Sequence, residues 1–82
     1  METKKKILVV DDEYIVRNIL KEILISEGYN VLCFSDGETA LKTFINVKYD
    51  LIFLDLKLNG MDGIQILEKI RKIQMNMLGG LL

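Results

Sequence analysis

Two runs of four apolar residues, Ile7-Leu8-Val9-Val10 and Leu51-Ile52-Phe53-Leu54, are continuous rather than alternating. That is the pattern of parallel strands covered on both faces. Between them the period changes: Val16, Ile19, Leu20, Ile23 and Leu24 recur at i, i+3, i+4, i+7 and i+8. They form an apolar stripe on a helix whose other face carries Arg17, Asn18, Lys21 and Glu22, and Gly28 supplies its C-terminal stop. Asn30 to Phe34 is a strand of more mixed polarity, expected at a sheet edge, with the Ile7–Val10 strand central. Ser35-Asp36-Gly37-Glu38 fits a capping box and opens a short helix burying Ala40, Leu41, Phe44 and Ile45. Asp50 closes the turn before the third strand. Asn59-Gly60-Met61-Asp62-Gly63 is a further turn, with Asp62 as N-cap of a third helix that buries Ile66, Leu67, Ile70 and Ile73.

Strand and helix thus alternate three times, the pattern of an α/β doubly wound parallel sheet with right-handed crossovers. The candidate chemistry lies at the strand ends. Asp11 and Asp12 finish the first apolar run and Asp55 finishes the third. One aspartate after a strand is ordinary turn or cap chemistry, and Asp12 alone reads equally well as the N-cap of helix one. Three are harder to assign to turns, because carboxylates sharing one crevice repel unless protons or a cation intervene. Neighbouring strands lie ~4.8 Å apart, whereas magnesium holds its oxygens at ~2.0–2.1 Å. A shared ion therefore requires strands one and three to be adjacent. The expected order is 2-1-3, with helix one on the opposite face from helix two and the acids at the switch point where such sheets bind ligands.

The chain has 82 residues, half of them hydrophobic, with no proline and a mean hydropathy of +0.24. This predicts a single domain with a thin core. A net charge of -1 gives no electrostatic footprint for nucleic acid, and Lys4 to Lys6 read as a solubilising lead-in to the first strand. Cys33 is the sole cysteine, so it has no intramolecular partner and is expected in the core. The N-terminal apolar run is too short for a signal peptide or a membrane span, and a cytoplasmic location is expected.

With magnesium held by Asp12 and Asp55, and by Asp11 through water, Asp55 keeps an oxygen free to attack an electrophilic phosphorus. Carboxylates do act as nucleophiles in this way, forming aspartyl-phosphate. Met61 and Gly63 would shape the rim of such a site.

Lys6-Ile7-Leu8-Val9-Val10-Asp11-Asp12-Glu13, Asp50-Leu51-Ile52-Phe53-Leu54-Asp55-Leu56 and Gly60-Met61-Asp62-Gly63 resemble the CheY-like receiver domain of two-component response regulators. Gly28-Tyr29, Asp36-Gly37 and Ala40-Leu41 fit the same pattern. The resemblance runs from about Lys5 to Ile73 and is closest to single-domain receivers of the sporulation phosphorelay type. It implies a flavodoxin-like sheet and a phosphoacceptor, Asp55, that takes a phosphoryl group from a histidine kinase or a histidine phosphotransfer protein. It implies magnesium on Asp11, Asp12, Asp55 and the backbone carbonyl of Lys57, with a loop of Asn59, Gly60, Met61 and Gly63 beside it. Asn59 stands where the family usually has proline, which should loosen that loop without removing a ligand.

A complete receiver has five strand–helix units, and this sequence supplies three. The family's Ser or Thr after strand four and its Lys after strand five have no counterpart. Gln74 to Leu82 contains no β-branched residue and is not expected to form a fourth strand. The sequence thus reads as a partial receiver over 1–82, with its motifs in 5–73 and an atypical tail over 74–82. Gly79-Gly80-Leu81-Leu82 reads either as an apolar tail docking into the gap left by the missing units or, as its composition favours, as a terminus produced by truncation or frameshift. With strand three and helix one left uncovered, self-association through either is expected. Three functions compete. The first is a phosphoacceptor signalling module without small-molecule turnover, impaired by the missing units. The second is a non-phosphorylatable remnant that only folds, self-associates or binds a kinase. The third is a magnesium phosphohydrolase, which is disfavoured because Lys57 stands two residues after Asp55 where a second acid would be needed to protonate a leaving group.

Overall fold

A computed structural model describes residues 4–55 and 63–77, with side chains through Ile73. Three strands, β1 (Lys6–Val10), β2 (Asn30–Phe34) and β3 (Leu51–Leu54), alternate with three helices, α1 (Tyr14–Ser26), α2 (Gly37–Lys42) and α3 (Gly63–Met77). The sheet order is β2-β1-β3. Both pairings are parallel, with Leu8 opposite Leu32 on one side and opposite Ile52 on the other. The expected fold class, strand order and central first strand are all present.

Burial follows the sheet's alternation. Leu8 and Val10 point to one face and form a buried cluster with Ala40 of α2, Phe44, and Ile66 and Ile70 of α3. Phe34, Leu41, Tyr49, Ile52, Leu54 and Ile73 pack around it. Ile7 and Val9, also buried, point to the other face, where α1 lies over β1 and β2.

Local chemistry sets the helix ends. Gly28, at φ +93°, follows α1 in the left-handed region that glycine tolerates best. The Tyr29 N–H donates to the Leu24 carbonyl and the Gly28 N–H to the Ile25 carbonyl, at 3.1 and 3.0 Å, which is a Schellman closure. The cap of α2 is Asp36 rather than Ser35: its carboxylate accepts from the Thr39 N–H at 2.8 Å and from the Thr39 hydroxyl at 3.0 Å. The longer reach of an Asp side chain one position on displaces the expected Ser/Glu box. Asp50, just before β3, ties its turn to β1, its carboxylate accepting from the Lys6 N–H at 2.8 Å.

Several expected core residues stay outside. Ile45 is 87% exposed, because α2 stops at Lys42 and the chain tightens into a 3₁₀ turn over Thr43–Ile45. The changed pitch keeps Phe44 inward and swings Ile45 out. Leu67 is exposed, since α3 turns only a narrow apolar stripe inward, with Ile66 and Ile70 buried and Ile73 partly so. The apolar stripe of α1 is the largest departure. No residue of α1 is buried, and Val16, Ile19 and Ile23 are all exposed, because the helix meets β2 and β1 but leaves β3 uncovered. Cys33 is half-buried rather than core, and burial pushes its thiol pKa up, with Lys21 and Arg17 pulling against the rise. Gln74–Met77 continues α3, in keeping with the good helix propensity of Gln and Met, and the rest of the tail over 74–82 lies outside the described residues. No helix among the described residues is long and apolar enough to cross a membrane.

Candidate functional site

The sheet ladder itself delivers the three acids. Its hydrogen bonds run one residue past each strand: the Asp11 N–H donates to the Phe34 carbonyl at 3.1 Å and the Asp55 N–H to the Val10 carbonyl at 2.9 Å. Both backbones are therefore held in register at the carboxyl edge of the sheet, with Asp12 one step into the loop before α1. Asp11, Asp12 and Asp55, all half-buried, bring one carboxylate oxygen each within 4.8 Å of one another. The adjacency of strands one and three, inferred from the acids alone, is what allows this.

The three are not equivalent. Asp11 Oδ1 accepts from the Glu13 N–H at 2.9 Å, which fixes its rotamer and commits one of its two oxygens. The Asp12 carboxylate makes no hydrogen bond among the described residues, so its place depends on its backbone. That backbone is held by Arg17, which lies one turn into α1 and donates from Nη1 to the Asp11 carbonyl at 2.9 Å. Its guanidinium lies 5.6 Å from the centroid of the Tyr14 ring, within cation–π range. Sequence reasoning placed Arg17 on the wet face of α1 and gave it no role. Periodicity assigns faces, but it cannot see a long side chain turning back towards the helix start.

Below the acids, an open groove runs between α1 and β3, lined by Val9, Val16, Leu20 and Phe53 and bounded by Asp11, Glu13 and Asp55. Lys57, Asn59, Gly60, Met61 and Asp62 lie outside the described residues. Gly63 is buried at the start of α3.

Three carboxylates and no nitrogen or sulfur donor make a hard oxygen set, suited to magnesium or calcium rather than to zinc or copper. Among the described residues no lysine or arginine forms a salt bridge with Asp11 or Asp12, since Arg17 is spent on a carbonyl. A cluster of this kind favours a divalent cation on charge grounds alone.

A parallel 2-1-3 sheet carrying paired acids beside a strand-end aspartate defines a receiver-type α/β domain. Residues 7–78 match the model of the response regulator receiver domain, and the chain belongs to that family. It is 42% identical over 72 residues to sporulation initiation phosphotransferase F of Bacillus subtilis (strain 168), covering 88% of this chain and 58% of that protein. Among solved structures, a CheY-like receiver from Methanospirillum hungatei JF-1 superposes with a TM-score of 0.84 at 35% identity, over 88% of this chain and 58% of that one. TrrA of Thermotoga maritima, at 47% identity, superposes with TM-scores of 0.78 in its complex with Mg(2+)-BeF and 0.77 in its complex with the histidine kinase ThkA. Each TrrA match covers 83% of this chain and 59% of TrrA. The chain thus spans less than two thirds of the length of each of these relatives.

Proposed function

We propose that this chain is a phosphoacceptor module, over 1–82 with its motifs in 5–73, in which Asp55 receives a phosphoryl group from a phosphohistidine partner. The observation that carries the reading is the meeting of Asp11, Asp12 and Asp55 within 4.8 Å. Asp55 is the acceptor because it ends the neighbouring strand, facing the acid pair across the gap. A carboxylate oxygen of Asp55 forms the new O–P bond as the P–N bond of the donor breaks. The imidazole leaves with the electron pair and takes a proton from solvent. Asp11, Asp12, Asp55 and the Lys57 carbonyl are the proposed magnesium ligands; when bound, the ion offsets the charge spread over the transferring phosphoryl oxygens. Asp11, fixed through Glu13, and Asp12, fixed through its backbone, hold their carboxylates in place before the donor arrives. Asn59, Gly60, Met61 and Gly63 form the proposed loop beside the site. Phosphotransfer in the sporulation relative and the magnesium and kinase complexes of TrrA support the reading. The proposed partner is a histidine kinase or histidine phosphotransfer protein in the cytoplasm.

A second reading is a fragment that folds and binds without accepting phosphate. Acetyl phosphate with magnesium, read by intact mass, separates the two. A phosphate adduct on the wild-type chain that is absent from Asp55→Asn supports the acceptor. No adduct under conditions that label a full-length relative selects the fragment.

Self-association belongs to the same proposal. In the sheet of the described residues β3 is an edge, with Leu51 and Phe53 exposed beside α1. A second copy pairing its own β3 there, related by a two-fold axis, would cover that edge. A net charge of only -1 puts little repulsion between copies. Sedimentation should show a dimer, and a monomer at high concentration would remove this part of the proposal.

A further inference from the structure

We infer that Arg17 is a positioning residue for the acid cluster, acting through the Asp11–Asp12 peptide. The inference rests on the proposed magnesium site and adds to it a residue that touches neither metal nor phosphate.

Asp11 is anchored at three points. Its N–H donates to the Phe34 carbonyl at 3.1 Å, its Oδ1 accepts from the Glu13 N–H at 2.9 Å, and its carbonyl accepts from Arg17 Nη1 at 2.9 Å. Asp12 has no such hold on its own side chain among the described residues. The plane of the peptide between the two aspartates decides where the Asp12 carboxylate hangs, and the Arg17 guanidinium fixes that plane from its carbonyl side. A hydrogen bond from a charged donor is stronger than a neutral one. Its donor is in turn braced: the Arg17 N–H is tied to the Glu13 carbonyl at 3.0 Å, and its guanidinium lies over the Tyr14 ring. The first turn of α1 is thereby fastened to the end of β1 through Arg17. α1 needs that fastening, because its N-cap, Glu13, makes no side-chain cap and the helix buries no residue.

Charge and position predict opposite signs, which makes the inference testable. If Arg17 acted only as a positive charge near the site, removing it would tighten divalent-cation binding. If it acts by holding the peptide, removing it loosens Asp12 and weakens binding, by about 10-fold on the scale of outer-shell residues at metal sites.

The experiment is a calorimetric magnesium titration of the 82-residue chain as wild type, Arg17→Met, Arg17→Lys and Asp12→Asn. In the same series, the Asp12 amide resonance is followed in the metal-free chains. We expect weaker binding in Arg17→Met, partial recovery in Arg17→Lys, which keeps a charged donor, and a shifted Asp12 amide in Arg17→Met with the β2 amides unmoved. Binding in Arg17→Met that equals or exceeds wild type, an Arg17→Lys chain no better than Arg17→Met, or an unmoved Asp12 amide overturns the positioning role. If Arg17→Met does not fold, the Arg17→Lys chain decides: an unmoved Asp12 amide and unchanged binding overturn the inference, and a shifted amide with weaker binding supports it. Absence of magnesium binding by the wild-type chain, or binding undiminished in Asp12→Asn, removes the metal site itself and this inference with it. Loss of the positioning effect alone leaves the site standing.

Discussion

Leu8 and Val10 leave β1 towards α2 and α3 and end in a cluster with Ala40, Phe44, Ile66 and Ile70. Ile7 and Val9 leave the same strand towards α1, and although they are buried, the helix above them buries nothing of its own. One sheet thus serves two layers of unequal weight. On the α2/α3 side the helices pack on the sheet and on each other, so each apolar side chain finds neighbours on several sides. On the α1 side, among the described residues, α1 alone meets β2 and β1, and Phe53 and Leu51 of β3 remain exposed. The stability of the described fold therefore sits on one face. The open groove that ends at the acids belongs to the other, where the scaffold is lightly built.

The largest effect expected from this contrast is on the heavy side. Ile66 is 1% exposed, and Ile66→Ala should cost about 2–5 kcal/mol through lost burial and a residual cavity, enough to unfold much of a marginally stable small domain. Ile19→Ala on α1 removes a side chain that is already half in water and should stay within about 0.5 kcal/mol. Urea unfolding followed by circular dichroism reads both, and comparable losses on the two faces would break the contrast.

A smaller loss should follow from adding volume on the same side. Gly37, at the start of α2, is buried, and a Cβ placed on it would overlap Cδ1 and Cγ1 of Ile66. Ile66 is enclosed and β-branched, so it has little freedom to move aside. Gly37→Ala should therefore destabilise by about 1–3 kcal/mol as overpacking, although Ala is the better helix former. Combining it with Ile66→Val, which shortens the clashing side chain, should recover part of that loss. No recovery would place the cost elsewhere than in the α2–α3 contact.

The unequal legibility of the sequence follows the same division. Strand order could be read because it rests on chemistry with a short reach: acids that share an ion must end neighbouring strands, and Asp11, Asp12 and Asp55 do converge. The continuous apolar runs gave the strands for the same reason that periodicity works at all, since backbone alternation is fixed by geometry. Burial of the helices was less legible. The α1 stripe is as apolar as that of α3, but periodicity reports what a helix is able to bury, and not whether anything lies opposite to receive it. Ile45 and Leu67 were misplaced by local geometry, a 3₁₀ turn in one case and a narrow contact stripe in the other. Arg17 was missed because its role is a contact made by a flexible side chain with a backbone carbonyl, which has no signature in spacing.

The smallest effect concerns pH, and it tests whether the cap of α2 supports the heavier layer. The backbone and hydroxyl hydrogen bonds from Thr39 favour the ionised Asp36 carboxylate and hold its pKa below the usual carboxylate value, with Lys42 adding to the shift. The folded chain then binds this proton less readily than the unfolded chain. The resulting stabilisation is complete above the unfolded-state pKa and is lost as pH falls through the lowered folded-state value. Asp36→Asn keeps a cap acceptor but removes the titration of this side chain. The melting-temperature advantage of the wild type over Asp36→Asn should therefore be greatest near neutral pH and shrink on acidification across that window. An advantage independent of pH would mean that Asp36 caps the helix through geometry alone, leaving α2 no electrostatic tie to the layer it helps to close.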